Sequence, residues 1–401
     1  MLTISQALAL ILKSIRALQP VRLPIADCLD RVLAEDIAAR GDIPPFPNSA
    51  MDGFAVRARD TRGAKPARPA VLAVIEDLPA GRVSRRTIRE GEAIRIMTGA
   101  PLPEGADAVV RAEDTAAAGR FRVKISAPAA PGLNLRKAGE SVRKGETVLR
   151  RGKVIRPQEI GMLAALGIPR VKVIPIPRVA VISTGDELQE IDKNLVGGKI
   201  FDCNRYSLSA LTRKYGGIPV SFGIVPDRER ALQTAFRKAK KYDMILTSGG
   251  VSVGEHDLVK KVFAGSGGSI AVWRIAMKPG KPLTFGSISG RPFFGLPGNP
   301  VSAIVSFLLF VRPALLRMQG KKSLRLPEEK AIMREGFDEI SDRTQLVRAV
   351  VIRRGGKLYA KPTGPQGSGI LKSLVLANAL LVVSPGRRLK KGARVRALLL
   401  D

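Results

Sequence analysis

The segment Tyr242-Asp-Met-Ile-Leu-Thr-Ser-Gly-Gly-Val-Ser-Val-Gly-Glu-His-Asp257 constrains the fold more than any other part of the chain. A short apolar run that ends in a glycine- and serine-rich loop reads as a buried strand opening at its carboxyl end. Gly249, Gly250 and Gly254 permit the positive φ that turns successive backbone N–H groups toward one anion, and Ser248 and Ser252 add hydroxyls. Glu255 and Asp257 close the loop with two carboxylates, suited to a divalent metal beside the anion. A glycine-rich tight turn without a ligand is the plainer reading. The loop is neither a Walker loop nor a dinucleotide fingerprint.

The pattern around it repeats one unit. Strand-like runs at 179–183, 219–225 and 243–247 alternate with helical patterns at 205–215, 228–241 and 257–263. In the second of these helices Leu232, Ala235, Phe236 and Ala239 share one face. Such a βαβαβα rhythm calls for a mostly parallel sheet covered by helices, with ligands at the strand ends. Asn299 is expected to cap a further helix, with Pro300 at its first position and a run through 301–310.

Elsewhere the rhythm differs. Thr3-Ile-Ser-Gln6 reads as a capping box ahead of Ile4, Leu8, Ile11, Ile15 and Leu18 at helical spacing. Pro44, Pro45 and Pro47 then exclude a helix, and runs at 71–75, 93–97, 108–111 and 120–125 read as short strands. The segment 132–167 is expected to return and pack against the N-terminal helix. Runs at 346–352 and 379–383 read as strands of another β domain. At 401 residues the chain exceeds one ordinary core. The expected fold is therefore α/β and multidomain. A mostly parallel three-layer αβα domain spans 177–320, and two smaller β-rich domains span 46–135 and 321–401. A discontinuous helical and connecting domain is made of 1–45 and 136–176.

Composition narrows the function. Hydrophobic content of 45% with 25% charged residues is that of a globular protein. Cys28 and Cys203 give no disulfide framework and suit a reducing cytosol, so a cytoplasmic protein is expected. No export signal is read, because the apolar N-terminal run precedes its first base, Lys13, and lacks a cleavage pattern. The longest apolar stretch, 301–311, is too short to span a bilayer. A net charge of +32 invites a nucleic-acid reading, but aromatic residues are only 4% and the bases are dispersed. An anionic small substrate, or a general basic bias, accounts for the charge without nucleic acid. Within so basic a chain, Asp186, Glu187, Asp227, Glu255 and Asp257 all fall where strands should end. That placement favours metal binding over solubility.

Three further loops carry chemistry. Ser183-Thr-Gly-Asp-Glu-Leu188 ends the first strand, and Asp186 and Glu187 are hard oxygen ligands of the kind magnesium takes. An acid pair at a helix N-terminus is the alternative. Asp227, just beyond the 219–225 run, is placed to converge on the same edge. Lys278 and Lys281 flank Pro279-Gly280, a turn that fixes two cations at a separation suited to a tetrahedral dianion. A solvated lysine pair is the alternative there. Leu296-Pro-Gly-Asn-Pro300 supplies the third loop. His256 is the only histidine and has no nucleophile motif nearby, and two distant cysteines with one histidine give zinc no ligand set.

These motifs occur in one order with Pro47-Asn-Ser-Ala-Met-Asp-Gly-Phe-Ala-Val56 and Arg95-Ile-Met-Thr-Gly-Ala-Pro101. Together they resemble the molybdopterin molybdenumtransferase (MoeA) family, which is related to the E domain of gephyrin. The resemblance covers essentially the whole chain and marks 177–320 as a molybdopterin-binding domain. It implies a magnesium-dependent ligation of molybdate, or tungstate, into adenylylated molybdopterin with release of AMP. It also implies an elongated homodimer with its site in a cleft between subunits, and a transient contact with the molybdopterin adenylyltransferase. Carried over by motif, Asp52, Thr98, Asp186, Glu187, Asp227 and Asp257 match the family's catalytic positions, and the last four its metal ligands. Arg136, Ser248, Gly249, Gly250, Ser252, Gly254, Lys278, Lys281, Pro297, Gly298, Asn299 and Pro300 match substrate-binding positions. Arg348 and Ser368 are expected to close the oxyanion pocket. Relatives place an aspartate where this chain has Ser141, so one carboxylate is missing unless Glu140 replaces it. A scaffold or regulatory protein of the same fold, binding without turnover, is the rival reading.

Overall fold

In a computed structural model that describes residues 1–250 and 258–400, the chain divides into two compact units, 22–172 and 1–21 with 173–401. Ser252, Gly254, Glu255, His256 and Asp257 lie outside the described residues.

The first unit is built on a six-stranded sheet. Its strands run in the order Ala108–Arg111, Gly53–Val56, Glu92–Ile96, Ala70–Leu78, Arg122–Ile125 and Thr115–Ala117. Only Ala70–Leu78 and Glu92–Ile96 are parallel. One face buries Val56, Leu72, Val123 and Ile125, and the other buries Leu78, Ile88, Ile94 and Ile96. Gly53 sits where no side chain fits, since a Cβ there would come within 2.0 Å of the Val110 carbonyl oxygen. Beyond this sheet, Ile37–Ala38 pairs with Thr147–Leu149, and the helix Pro157–Ala165 follows. Arg156 and Glu159 close the start of that helix through three hydrogen bonds of 2.7–3.0 Å.

The second unit contains the α/β sheet. Its strands are β1 (Arg178–Thr184), β2 (Ile218–Val225), β3 (Met244–Ser248), β4 (Gly268–Arg274), β5 (Pro282–Ile288) and β6 (Arg291–Leu296). The spatial order is β2-β1-β3-β6-β5-β4, with the first four strands parallel, β5 antiparallel to both of its neighbours, and β4 running again in the direction of the first four. Strand order reverses between β1 and β3, which opens a crevice at their carboxyl ends. Helices α1 (Cys203–Lys214) and α4 (Pro300–Met318) cover one face, with Leu208, Val301 and Phe310 in the core. Helices α2 (Glu229–Ala239) and α3 (Leu258–Gly265) cover the other through Leu232, Phe236, Val259 and Phe263. This is the expected three-layer αβα sandwich. Helix α4 is longer than the 301–311 apolar run suggested and is apolar enough to cross a membrane, but 83% of it is buried in this core.

The N-terminal helix, Ile4–Ser14, belongs to the second compact unit. Its capping box forms as expected, with the Gln6 N–H donating to Thr3 Oγ1 at 3.2 Å. It packs against β4 and α4 within that unit. Ala7, Leu8, Ile11 and Ile15 are buried beside Ile275, Met277 and Phe310. Full burial of each leucine or isoleucine contributes roughly 1.5–3 kcal/mol, so the helix goes where the sandwich leaves an apolar face uncovered.

Residues 328–399 form a closed five-stranded barrel. Thr344–Arg354 pairs with Lys357–Pro362 on one side and Ala379–Val383 on the other, and Glu328–Met333 and Arg394–Leu399 complete the ring. A short parallel pairing of Met277–Lys278 with Thr344–Gln345 ties the lysine loop to this barrel.

Candidate active site

The ends of β1, β2, β3 and β6 meet at the crevice. At β1, Thr184 Oγ1 donates to Asp227 Oδ1, and the Asp227 N–H donates to Asp186 Oδ1 at 3.3 Å. The two aspartates predicted to converge therefore do so. Glu187 folds back over Gly185, where a Cβ would lie 2.5 Å from Glu187 Oε2. Lys199 donates to the Asp186 backbone carbonyl, leaving the carboxylate to other partners. Among the described residues no three His, Cys, Asp or Glu side chains cluster closely enough to cage a metal.

At β3, Gly249 and Gly250 both have positive φ, at +91° and +61°. A Cβ on Gly249 would meet the Thr184 carbonyl oxygen at 2.2 Å, so glycine is required by approach as well as by backbone shape. The Gly249 N–H donates to the Leu296 carbonyl at 3.2 Å, joining this loop to the end of β6. Gly298 lies against Gly249 across that junction, a Cβ on it being 3.9 Å from Gly249 Cα.

The lysine loop opens on a cavity of about 470 Å³ whose wall includes Lys278, Lys281, Pro297, Asn299 and Ser368. Gly280 is held at φ +100°, and a Cβ there would meet Met277 Cε at 2.4 Å. Lys278 forms an ion pair with Glu339, a partner that sequence reasoning missed because it lies sixty-one residues away. Asn299 departs from expectation. It stands at the helix start with Pro300 in the first turn, but its side chain makes no capping bond and donates to Ser368 Oγ at 3.1 Å. The Val301 N–H donates to the Ser368 carbonyl at 3.2 Å, so the two loops are stitched together.

Arg348 does not face the cavity. It is 1% exposed, and it donates to Ser373 Oγ and to the Gly367 carbonyl, each at 3.0 Å. Burial pushes its pKa down to about 10, with Glu339 opposing that shift. Its place is behind the Gly367–Ser368 wall, as a support.

In the unit 22–172, Asp52 Oδ1 accepts from the Thr98 hydroxyl at 2.6 Å and from the Thr98 N–H at 2.7 Å. Those bonds, the hydroxyl's first, lower the Asp52 pKa, and Arg95 adds to the effect. Arg136 pairs through its backbone with Asn48 and is exposed. Glu140 closes its own turn by accepting from the Lys137 N–H at 2.9 Å.

A parallel sheet with anion-turn glycines, paired aspartates and a two-lysine cavity at its strand ends is the layout of an α/β enzyme for anionic substrates. Three family models match the chain: the MoeA N-terminal region (domain I and II) over residues 2–167, the "Probable molybdopterin binding domain" over 180–317, and the MoeA C-terminal region (domain IV) over 330–400. Molybdopterin molybdenumtransferase 2 of Mycobacterium tuberculosis is 39% identical over 372 residues, covering 91% of each chain. The molybdopterin molybdenumtransferase of Haemophilus influenzae is 37% identical over 391 residues, covering 96% of this chain and 95% of its own. The solved molybdopterin biosynthesis MoeA protein of Pyrococcus horikoshii superposes with a TM-score of 0.84 at 33% identity, covering 100% of this chain and 99% of its own. The chain belongs to the molybdopterin molybdenumtransferase family, and it is a transferase of molybdenum cofactor biosynthesis.

Proposed function

We propose that this protein inserts molybdate, or the equally charged tungstate, into adenylylated molybdopterin in a magnesium-dependent step that releases AMP. The observation that carries this reading is the convergence of the Asp186–Asp227 pair, the Ser248–Gly250 loop and the two-lysine cavity on one sheet edge. The donor set suits magnesium, which takes hard oxygens and needs only one or two protein carboxylates beside waters and substrate phosphates. Asp186 and Asp227 would hold it, with Glu187 and Asp257 as further ligands. When bound, the ion supplies charge neutralisation at the phosphoanhydride.

The chain's own groups do the rest. Gly250 turns its backbone donor toward the substrate's phosphate while the Gly249 N–H ties the loop to the end of β6, with Ser248, Ser252 and Gly254 in the same loop. Lys278 and Lys281 hold the oxyanion, which competes with Glu339 for Lys278. Pro297, Asn299, Pro300 and Ser368 shape that cavity, and Arg348 supports its wall. Asp52, Thr98 and Arg136 enter as residues the family resemblance assigns to the reaction. Cleaving an anhydride here depends on positioning and electrostatics more than on a covalent nucleophile. The same reading includes a homodimer, a cytoplasmic location and a transient partner in the enzyme that adenylylates molybdopterin.

The test is incubation with adenylylated molybdopterin, magnesium and either oxyanion, with AMP followed by chromatography. AMP release that requires both metal and oxyanion is the expected result. Binding without any AMP would instead make the protein a scaffold. Lys278→Ala should raise the molybdate concentration needed by about tenfold, and an unaltered molybdate dependence would remove Lys278 from the oxyanion site.

A further inference from the structure

Asn204 lies in the first turn of α1, is 8% exposed, and bridges two loops that the sheet alone does not join by side chains. Its Nδ2 donates to Ser248 Oγ at 2.7 Å and to the Gly298 carbonyl at 2.6 Å. The first acceptor ends β3 and the second follows β6. A carbonyl only accepts, so the amide must present its nitrogen there, and that orientation sets the other bond as well. Because Nδ2 fills an acceptor position on Ser248 Oγ, the serine's own proton must point elsewhere. No described residue accepts it.

The amide is itself held in place. Asp202, 1% exposed, caps α1 by accepting from the Arg205 N–H at 3.1 Å and also accepts from Ser183 Oγ at 3.0 Å. The first turn of α1 is thus pinned to the end of β1, while Asn204 reaches the ends of β3 and β6. Three strand ends at the crevice are connected through two side chains, Asp202 and Asn204, of one helix start.

We propose that Asn204 is a positioning residue for the substrate's phosphate. It clamps the Ser248–Gly250 loop against Gly298 and leaves the Ser248 hydroxyl free to donate toward the anion. This rests on the reading that the crevice takes adenylylated molybdopterin. A positioning residue of this kind acts on the pterin adenylate and not on the oxyanion cavity beyond Asn299.

The experiment titrates wild type, Asn204→Ala, Asn204→Asp and Ser248→Ala with adenylylated molybdopterin in the absence of oxyanion, and then measures KM for each substrate. Asn204→Ala is expected to weaken binding by about tenfold. Asn204→Asp should lose at least as much, because it keeps the size and removes the donor. Ser248→Ala should lose at least as much, since it removes both the acceptor of the Asn204 bond and the hydroxyl that donates toward the anion. The KM for molybdate should stay at the wild-type value, and melting temperatures separate these effects from unfolding. Wild-type affinity in Asn204→Asp would overturn the proposal, as would a parallel rise in both KM values. If Asn204→Ala does not fold, an undiminished affinity in Ser248→Ala overturns it on its own. Wild type that fails to bind the adenylate at all would sink the functional reading instead.

Discussion

Asp52 in the small β domain and Asp227 at the edge of the α/β sheet are held by the same device, a threonine hydroxyl donating to Oδ1. The difference lies in what surrounds them. Asp52 takes a second bond from the Thr98 N–H and lies near Arg95, so it is stabilised as an anion by its own loop. Asp227 is presented beside a second carboxylate, Asp186, with its backbone N–H as the link. Two carboxylates held together gain from a shared cation, whereas one that is already compensated does not need it. Glu159 marks the other extreme. Arg156 engages both of its oxygens and Lys153 stands 3.5 Å away, leaving the group a structural clasp. Whether a carboxylate stands beside a cation or beside a second carboxylate thus separates Asp52 and Glu159 from the Asp186–Asp227 pair.

The largest difference is expected between Asp227→Ala and Asp52→Ala. The first should reduce AMP release by roughly 10³-fold with an unchanged melting temperature, and the second by roughly 10²-fold. Equal turnover of Asp227→Ala and wild type would end the metal-site assignment. A smaller effect separates the threonines. Thr98→Val removes the larger of the two bonds that lower the Asp52 pKa, so that pKa should rise. A folded pKa held below the ordinary value keeps the group ionised at lower pH, so the acid limb of the pH–rate profile should move upward in Thr98→Val. A limb that stays in place would show that Asp52 ionisation does not govern the rate.

The smallest effect is on stability alone. Bonds from Arg156 hold the Glu159 pKa at about 2 instead of 4.5. Because the folded value is depressed, the contribution is fully present above 4.5 and is lost as pH falls through about 2. Glu159→Gln should therefore cost about 1 kcal/mol at neutral pH, discounted for the exposed arginine, with turnover unchanged. The gap to wild type should close on acidification. A gap that persists near pH 2 would assign the loss to packing.

Much of this layout was legible in the chain. The run at 379–383 is the strand Ala379–Val383, and the parallel strands β1, β2 and β3 appear within a residue or so of their apolar runs. Local periodicity carries that information because a buried parallel strand must be apolar along its length. The other half of the sheet escaped. Strands β4, β5 and β6 carry glycine, serine and threonine among their apolar residues, so neither period stands out. The capping box of the first helix was readable from Thr3 and Gln6, but the surface that helix covers was not.

The site divides in the same way. Glycines at positive φ, acids after strands and lysines around a proline-glycine turn are local requirements, and the residues state them directly. What the sequence by itself determined was therefore the kind of loop at each strand end and the family to which the set belongs. The tertiary structure alone decided which side chains meet: Glu339 on Lys278, Ser368 on Asn299, Arg348 behind the cavity wall, and Asn204 across Ser248 and Gly298. Each of those contacts joins residues more than ten positions apart, and no short-range pattern encodes a partner that only the folding of the sheet and barrel brings within reach.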